Sequence, residues 1–487
     1  MAELFDDHSP LQLQASGVWN RNGVKTAFTL VGRLQYKYAE GTWTEWHAVL
    51  VDGSSAYLSE DNGAYVFTVP LAAQPNIPDA ASFQLGQSIR LNGRAFSVAS
   101  NQKVALISAQ GELPHLPALG QEFSVVELRI QADAPQESSL ARDAGASIIG
   151  RALDKSLGSS SDASSAGVTS GEVLSIDYGT QPPTLSMGAA VLLEDLQLSG
   201  LKDESAKQEK ARQFACPNCG ASVQVTLDLS KSVTCASCNS LIDISGGIGG
   251  ELKHALQDEP VRPLIKLGSL GQLQGVQWQV VGFQHRMGTD PSDPDEKFGW
   301  SEYLLYNQKR GFTFLVDSTE GWSVVKPATG APVMIASGQS ASYQGQRYQL
   351  KESYRAETSY VAGEFYWQVT RGQTSENRDF SSGKSMLSME KTPSEVTWSV
   401  GNQIDSEAVA KAFKLEDSKD LLKRADASPA SALKGVGCGT IIILLVIILV
   451  VLILISRCAP TTGSGYSSGA RTSGGSFGGS SGGGGHK

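Results

Sequence analysis

Two distant stretches of this chain spell one pattern: GQSIRLNGRAFSV at 86–98 and GQSASYQGQRYQL at 338–350 match without a gap. At the same offset Gly111-Glu112 falls on Gly363-Glu364, and Gly120 on Gly372. Upstream, Trp43-Thr44-Glu45-Trp46 aligns with Trp300-Ser301-Glu302-Tyr303, and Tyr57-Leu58 with Phe314-Leu315. Downstream, DYGTQPPTLSM at 177–187 is aligned with DFSSGKSMLSM at 379–389. A duplication of this kind means one structural unit built twice, so the fold of one copy constrains the other.

Each copy reads as β structure. Short runs such as AFTLVGRLQYKY, EWHAVLVD, AYVFTV and FSVVELRI alternate apolar with polar residues between Gly, Asn and Asp turns, and LNGR at 91–94 reads as a hairpin turn. The expected fold is mainly β: two homologous β-barrel or sandwich-like units. The first spans 17–199, with 131–170 a Ser/Ala/Gly-rich low-complexity insertion, and the second spans 262–405. A chain of 487 residues has room for two to four domains at roughly 100–200 residues each.

Between the copies lies CPNCGASVQVTLDLSKSVTCASC at 216–238, which holds four of the six cysteines. Cys216, Cys219, Cys235 and Cys238 have zinc-ribbon spacing, and the residues between the pairs alternate as strands do. Each CxxC knuckle turns two thiolates to one side, and two knuckles close a tetrahedral site. Gly220 and Asn239 follow the second cysteine of each pair, where a knuckle tolerates tight or left-handed geometry. The expectation is a ribbon at 213–244 holding a structural zinc, since four thiolates leave no open coordination position for catalysis.

Nucleic acid is disfavoured as a partner. The chain carries net charge −9, and the ribbon offers no aromatic platform and a single lysine between its outer cysteines. Lys202, Lys207, Lys210 and Arg212 precede it but alternate with Asp203, Glu204 and Glu209.

The C-terminal part reads differently. Residues 406–434 are expected to form a helical stalk. From Gly435 to Ile455 the chain is uncharged and strongly aliphatic, and a helix over this run reaches about 30 Å, the hydrocarbon thickness of a bilayer. Residues 435–456 are therefore expected to span a membrane once, and the Gly/Ser-rich tail 457–487 to be disordered. Lys419, Lys423, Arg424 and Lys434 outnumber Arg457 and Arg471, which places the N-terminal bulk in the cytoplasm. The opening MAELFDDHSP has no apolar core and is not expected to act as a signal peptide.

Candidate chemistry is sparse. His8, His47, His115, His254, His285 and His486 are scattered. Glu45 and Glu302, Glu112 and Glu364, and Asp177 and Asp379 recur between the copies, and paired carboxylates can serve as general acid and base. Duplication and strand-end chemistry also leave such recurrences, and this is the weightier reading. No phosphate-binding loop, nucleophile elbow or dinucleotide fingerprint is present. No catalytic or cofactor-binding residue is assigned, and an enzyme is not the leading expectation.

The W-x-E-[WY] step, the [YF]-L run after it, the Gly-Glu turn and the D-[YF]-x6-L-S-M ending resemble a bacterial domain family of unknown function. In that family two copies often flank a CxxC…CxxC ribbon, and some members end in a membrane helix. The resemblance covers most of 17–405 and implies no catalytic residues. Its gene surroundings imply a role at the bacterial inner membrane, near envelope-associated or polyamine-related systems. The leading expectation is a membrane-tethered cytoplasmic binding or scaffold protein, with the bilayer and other membrane-associated proteins as partners. The alternatives are a small-ligand sensor or enzyme using the repeated carboxylates, and a zinc-ribbon nucleic-acid binder.

Overall fold

The computed structural model describes residues 9–134, 171–202, 212–245 and 252–424, apart from 22, 40, 62–63, 73–76, 92–93, 228–229, 258–259 and 308–309. Most of the 131–170 insertion, the membrane run 435–456 and the tail 457–487 lie outside these residues. Among the described residues no helix is long and apolar enough to cross a membrane.

The first unit contains strands β1 Ser16–Arg21, β2 Val24–Tyr38, β3 Gly41–Leu50, β4 Ser55–Asp61, β5 Ala64–Pro70, β6 Ser88–Leu91, β7 Arg94–Gly111, β8 Glu122–Ile130, β9 Glu172–Asp177 and β10 Thr184–Val191. Two antiparallel meanders, β2–β5 and β7–β10, close on each other through β2–β7 and β5–β10 into an eight-stranded barrel. The ribbon contributes β11 Arg212–Ala215, β12 Ser222–Val225, β13 Ser232–Thr234, β14 Leu241–Asp243 and β15 His254–Ala255.

The second unit contains β16 Leu270–Leu273, β17 Val276–Asp290, β18 Asp293–Asn307, β19 Gly311–Ser318, β20 Gly321–Pro327, β21 Val333–Ile335, β22 Ser340–Tyr343, β23 Gln346–Phe365, β24 Thr374–Ser382, β25 Ser385–Lys391 and β26 Val396–Ile404. Its barrel repeats the first strand for strand: β17–β20 and β23–β26 close through β17–β23 and β20–β26.

Both barrels close at a glycine pair. Gly32 sits opposite Gly111, and Gly282 opposite Gly363, beside bulges at Val31 on β2 and Val281 on β17. Gly111 has φ 80°, and a Cβ there would lie 2.3 Å from the Val31 carbonyl oxygen. At Gly363, φ 85°, the equivalent contact would be 2.4 Å from Val281. The recurring Gly-Glu step is thus a backbone requirement of ring closure.

The alternation resolves into two faces. Glu45 and Asp177 act on each other although β3 and β9 stand opposite in the ring, as do Asp61 and Glu127 on β4 and β8, so these rows point inward. Lys37 and Lys103 point outward into solvent. The apolar rows face outward too, and flanking segments cover them. Leu11, Trp19 and Leu196 pack with Trp46, Leu58 and Phe67, while Phe83 packs with Val126, Leu128 and Ile176. Covering these rows removes large side chains from water, about 1.5–3 kcal/mol for each one fully buried.

One sequence alignment needs correction. Asp379 lies on β24, whose pairing with β23 (Glu352 opposite Asp379) matches that of β8 with β7 (Ser100 opposite Glu127). Asp379 is therefore the counterpart of Glu127. Asp177, opposite Val125 on β9, corresponds to Glu390, opposite Asn377 on β25. The cause is the long insertion: residues 131–171 separate β8 from β9 in the first copy, where the second makes a tight turn from Ser382 to Ser385. The similar strings sit on non-equivalent strands.

The described part of the expected helical stalk, residues 406–424, is docked on the second barrel. Helices α1 Ser406–Ala412 and α2 Lys419–Leu422 bury Val409, Ala410, Phe413 and Leu422 against Phe283, Tyr303 and Trp322. Trp322 Nε1 donates to the Leu422 carbonyl at 2.8 Å, and Arg424 grips Asp317 with two bonds of 2.6 and 2.7 Å. Its apolar face covers the outward row of the second barrel.

Candidate metal centre and barrel chamber

The cysteine knuckles are built by backbone hydrogen bonds. Gly220 N–H donates to the Cys216 carbonyl and Asn239 N–H to that of Cys235, both at 2.9 Å, with φ 75° and 58° at the two donors. The four sulfurs lie within 4.8 Å of one another. Cys216 and Cys238 Sγ are 3.7 Å apart, and Cys219 and Cys235 Sγ 3.8 Å. These distances exceed a disulfide bond and equal the edge of a tetrahedron with metal–sulfur bonds of about 2.3 Å. The Ser240 hydroxyl, with Asn218, holds the Cys238 thiol down to about 5, so a thiolate is at hand. The donor set fits a metal ion.

The ribbon is clamped between the barrels. β13 adds to β23, with Ser232 opposite Phe365 and Val233 opposite Glu364. Glu364 accepts from Thr226 N at 2.8 Å, Thr226 Oγ1 at 2.5 Å, Leu227 N at 3.0 Å and Ser230 Oγ at 2.7 Å. On the other side Lys231 Nζ donates to the Thr42 carbonyl at 2.5 Å, and its charge faces Asp61. Glu112, the counterpart of Glu364, has an exposed side chain; its carbonyl accepts from His47 at 2.8 Å.

The inward rows of the first barrel line a cavity of about 2090 Å³ that continues into the cleft facing the second unit. Tyr36, Trp43, Glu45, Tyr57, Asp61 and Asp177 are on its walls. Burial pushes the Glu45 carboxyl up to about 8, and Asp177 across the ring adds to this. Burial also raises Asp177, against the pull of the Gly179 N–H and His115. Asp61 is pushed up to about 6 by burial, opposed by Lys231. Glu127 is paired with Arg129 at 2.5 Å. Glu45 makes no hydrogen bond or ion pair among the described residues.

The second barrel fills the same space. Trp300 and Arg286 pair across β17 and β18 as Trp43 and Tyr36 do across β2 and β3. Arg286 therefore stands where the first barrel has Tyr36. Its guanidinium reaches Glu390 at 2.7 and 3.2 Å, Ser375 at 2.8 Å and Glu302 at 3.9 Å. Glu302 also accepts from Gln284 and Trp300 Nε1, both at 2.5 Å. Tyr354 packs edge-on against Trp300, where the first barrel has Gln102. Both barrels thus keep the acids, Glu45 with Asp177 and Glu302 with Glu390, but only the second supplies a cation between them.

Of the residues singled out by sequence, the structure gathers the four cysteines, and Glu45 with Asp177 and His115. It sends Glu112 and Glu364 elsewhere. Sequence reasoning missed Tyr36, Asp61 and Lys231, and read Tyr57 only as part of the repeat. Tyr36, Tyr57 and Asp61 share the inward alternation of Glu45, which was the one available signal.

The family described as domain of unknown function DUF4178 matches residues 24–141 and 266–406, more than half of the chain. The chain belongs to this family. The two DUF4178 regions fall on the two barrels, with the ribbon between them. No curated protein and no solved structure matches the chain.

Proposed function

We propose that this DUF4178 protein is a membrane-tethered cytoplasmic binding protein whose first barrel receives a small ligand, while the second is its filled structural counterpart. The observation that carries this reading is the open cavity, about 2090 Å³ together with the cleft it opens into, whose barrel wall carries an unpartnered inward carboxyl, Glu45. Ligand sites combine such concavity with a few converging polar groups. Zinc is the ion proposed for the four thiolates, in a structural role, because a short ribbon buries too little apolar surface to stand unaided. The tether is residues 435–456, which would hold the barrels at the inner face of a bacterial membrane beside membrane-associated partners. Nucleic acid is a poorer partner, since the ribbon's Lys231 is engaged by Thr42.

The test is native mass spectrometry of the full-length protein in detergent after exposure to a cell metabolite extract. A small molecule retained by the wild type and lost from Ser59→Trp, which fills the cavity, is the expected result. Equal retention by both, or none by either, overturns the reading. An acid–base enzyme is the second reading, favoured by a Glu45 carboxyl poised to ionise near neutral pH. Turnover of the captured molecule by the wild type and not by Glu45→Gln would establish it.

A further inference from the structure

We propose that the ligand of the first barrel is an organic cation, a guanidinium or primary alkylammonium, held between Glu45 and Asp177 in the place that Arg286 takes in the second barrel. The inference rests on the chamber being a ligand site and assigns its chemistry.

Three observations converge on it. The second barrel already shows what its acids hold: a guanidinium bonded to Glu390 and lying beside Glu302. The first barrel keeps the equivalent acids on equivalent strands and replaces the arginine by Tyr36, whose phenol lies in the field of both Glu45 and Asp177. Among the described residues, neither carboxyl meets an arginine or lysine. The chamber wall also carries Tyr36, Trp43 and Tyr57, whose ring faces attract cations.

The end of the chamber repeats the theme. Lys231, a four-carbon alkylammonium on the ribbon, reaches the Thr42 carbonyl and faces Asp61. The protein thus seats one alkylammonium of its own at this end of the barrel. Carboxylates and aromatic faces with no cation between Glu45 and Asp177 are suited to a ligand with several N–H donors.

Calorimetric titration of the full-length protein in detergent decides the matter, with n-butylguanidinium and n-butylammonium as probes, and n-butanol and butyrate as their neutral and anionic counterparts. The expected result is one cation bound per chain, no binding of butanol or butyrate, and affinity weakened about ten- to hundredfold in Glu45→Gln and in Asp177→Asn. Tyr36→Arg should abolish binding and raise the melting temperature, because it restores the internal arrangement of the second barrel. This variant keeps the test sharp if a carboxylate variant fails to fold. Preferential binding of butanol or butyrate, cation binding indifferent to all three substitutions, or no binding of either cation overturns the cation assignment. The capture experiment with Ser59→Trp separately judges whether the chamber binds anything.

Discussion

Tyr36 and Arg286 occupy the same inward position on equivalent strands of two barrels, and this difference, with Tyr354 in the place of Gln102, separates an open interior from a filled one. In the second barrel the guanidinium is buried with Glu302 and bonded to Glu390. Removing one member of such a group leaves buried charge uncompensated. Arg286→Met is expected to cost about 3–5 kcal/mol, and Tyr36→Phe in the first barrel less than about 1 kcal/mol. Urea denaturation followed by tryptophan fluorescence checks both; a loss below about 1 kcal/mol for Arg286→Met would show that the cation does not hold the second interior together.

Stability should depend on pH through Glu45. Its folded pKa of about 8 lies above the ordinary value of 4.5, so the folded state favours the protonated form. The penalty is absent below about pH 4.5 and grows as pH rises towards 8, where a carboxylate must sit among Tyr36, Tyr57 and Asp177. Glu45→Gln should match the wild type near pH 4.5 and exceed it at pH 8.5 by on the order of 2 kcal/mol, a figure reduced because the chamber admits water. Thermal melts at the two pH values measure this, and a pH-independent difference would refute it.

The duplicated Gly-Glu steps should separate under mutation. Glu364 is buried and accepts four hydrogen bonds from the loop 226–230, whereas the Glu112 side chain is exposed. Glu364→Ala orphans those donors and should cost about 2–4 kcal/mol, while Glu112→Ala should stay within about 0.5 kcal/mol. Equal effects would contradict the clamp.

Metal removal should act on the barrels as well as the ribbon. Cys216 and Cys235 pack with Val223, Val225, Val233, Ile242 and Ile244 in a small core, and the loop between the knuckles carries Lys231 to Thr42 and Ser230 to Glu364. We expect one metal ion per chain by elemental analysis, its loss in Cys235→Ser, and a lower melting temperature after chelation. Chelation should also make Lys231 more reactive towards amine-modifying reagents, read by peptide mass mapping. Metal loss with unchanged melting and unchanged Lys231 reactivity would rule out a structural role.

Some of this was legible in the chain because the physics is local. Two thiolates three residues apart with Gly220 or Asn239 behind them make a knuckle whatever surrounds them. Period-two alternation makes strands, and the shared Trp43-x-Glu45 and Trp300-x-Glu302 steps land on matching positions. Where the signal was a similar string without a backbone reason, it misled, as in equating Asp177 with Asp379 across an insertion.

Taken alone, then, the sequence determined that a β unit is present twice, that four cysteines gather between the copies, and which residues alternate along each strand. It could not say which alternating row faces inward, because both rows contain apolar residues and the choice depends on segments far away in sequence covering the outer face. Only ring closure, through β2–β7 and β5–β10, put Glu45 opposite Asp177 and showed that Arg286 has no counterpart there. A row of carboxylates becomes a chamber only when distant strands meet, and long-range strand pairing leaves no mark in a local stretch of sequence.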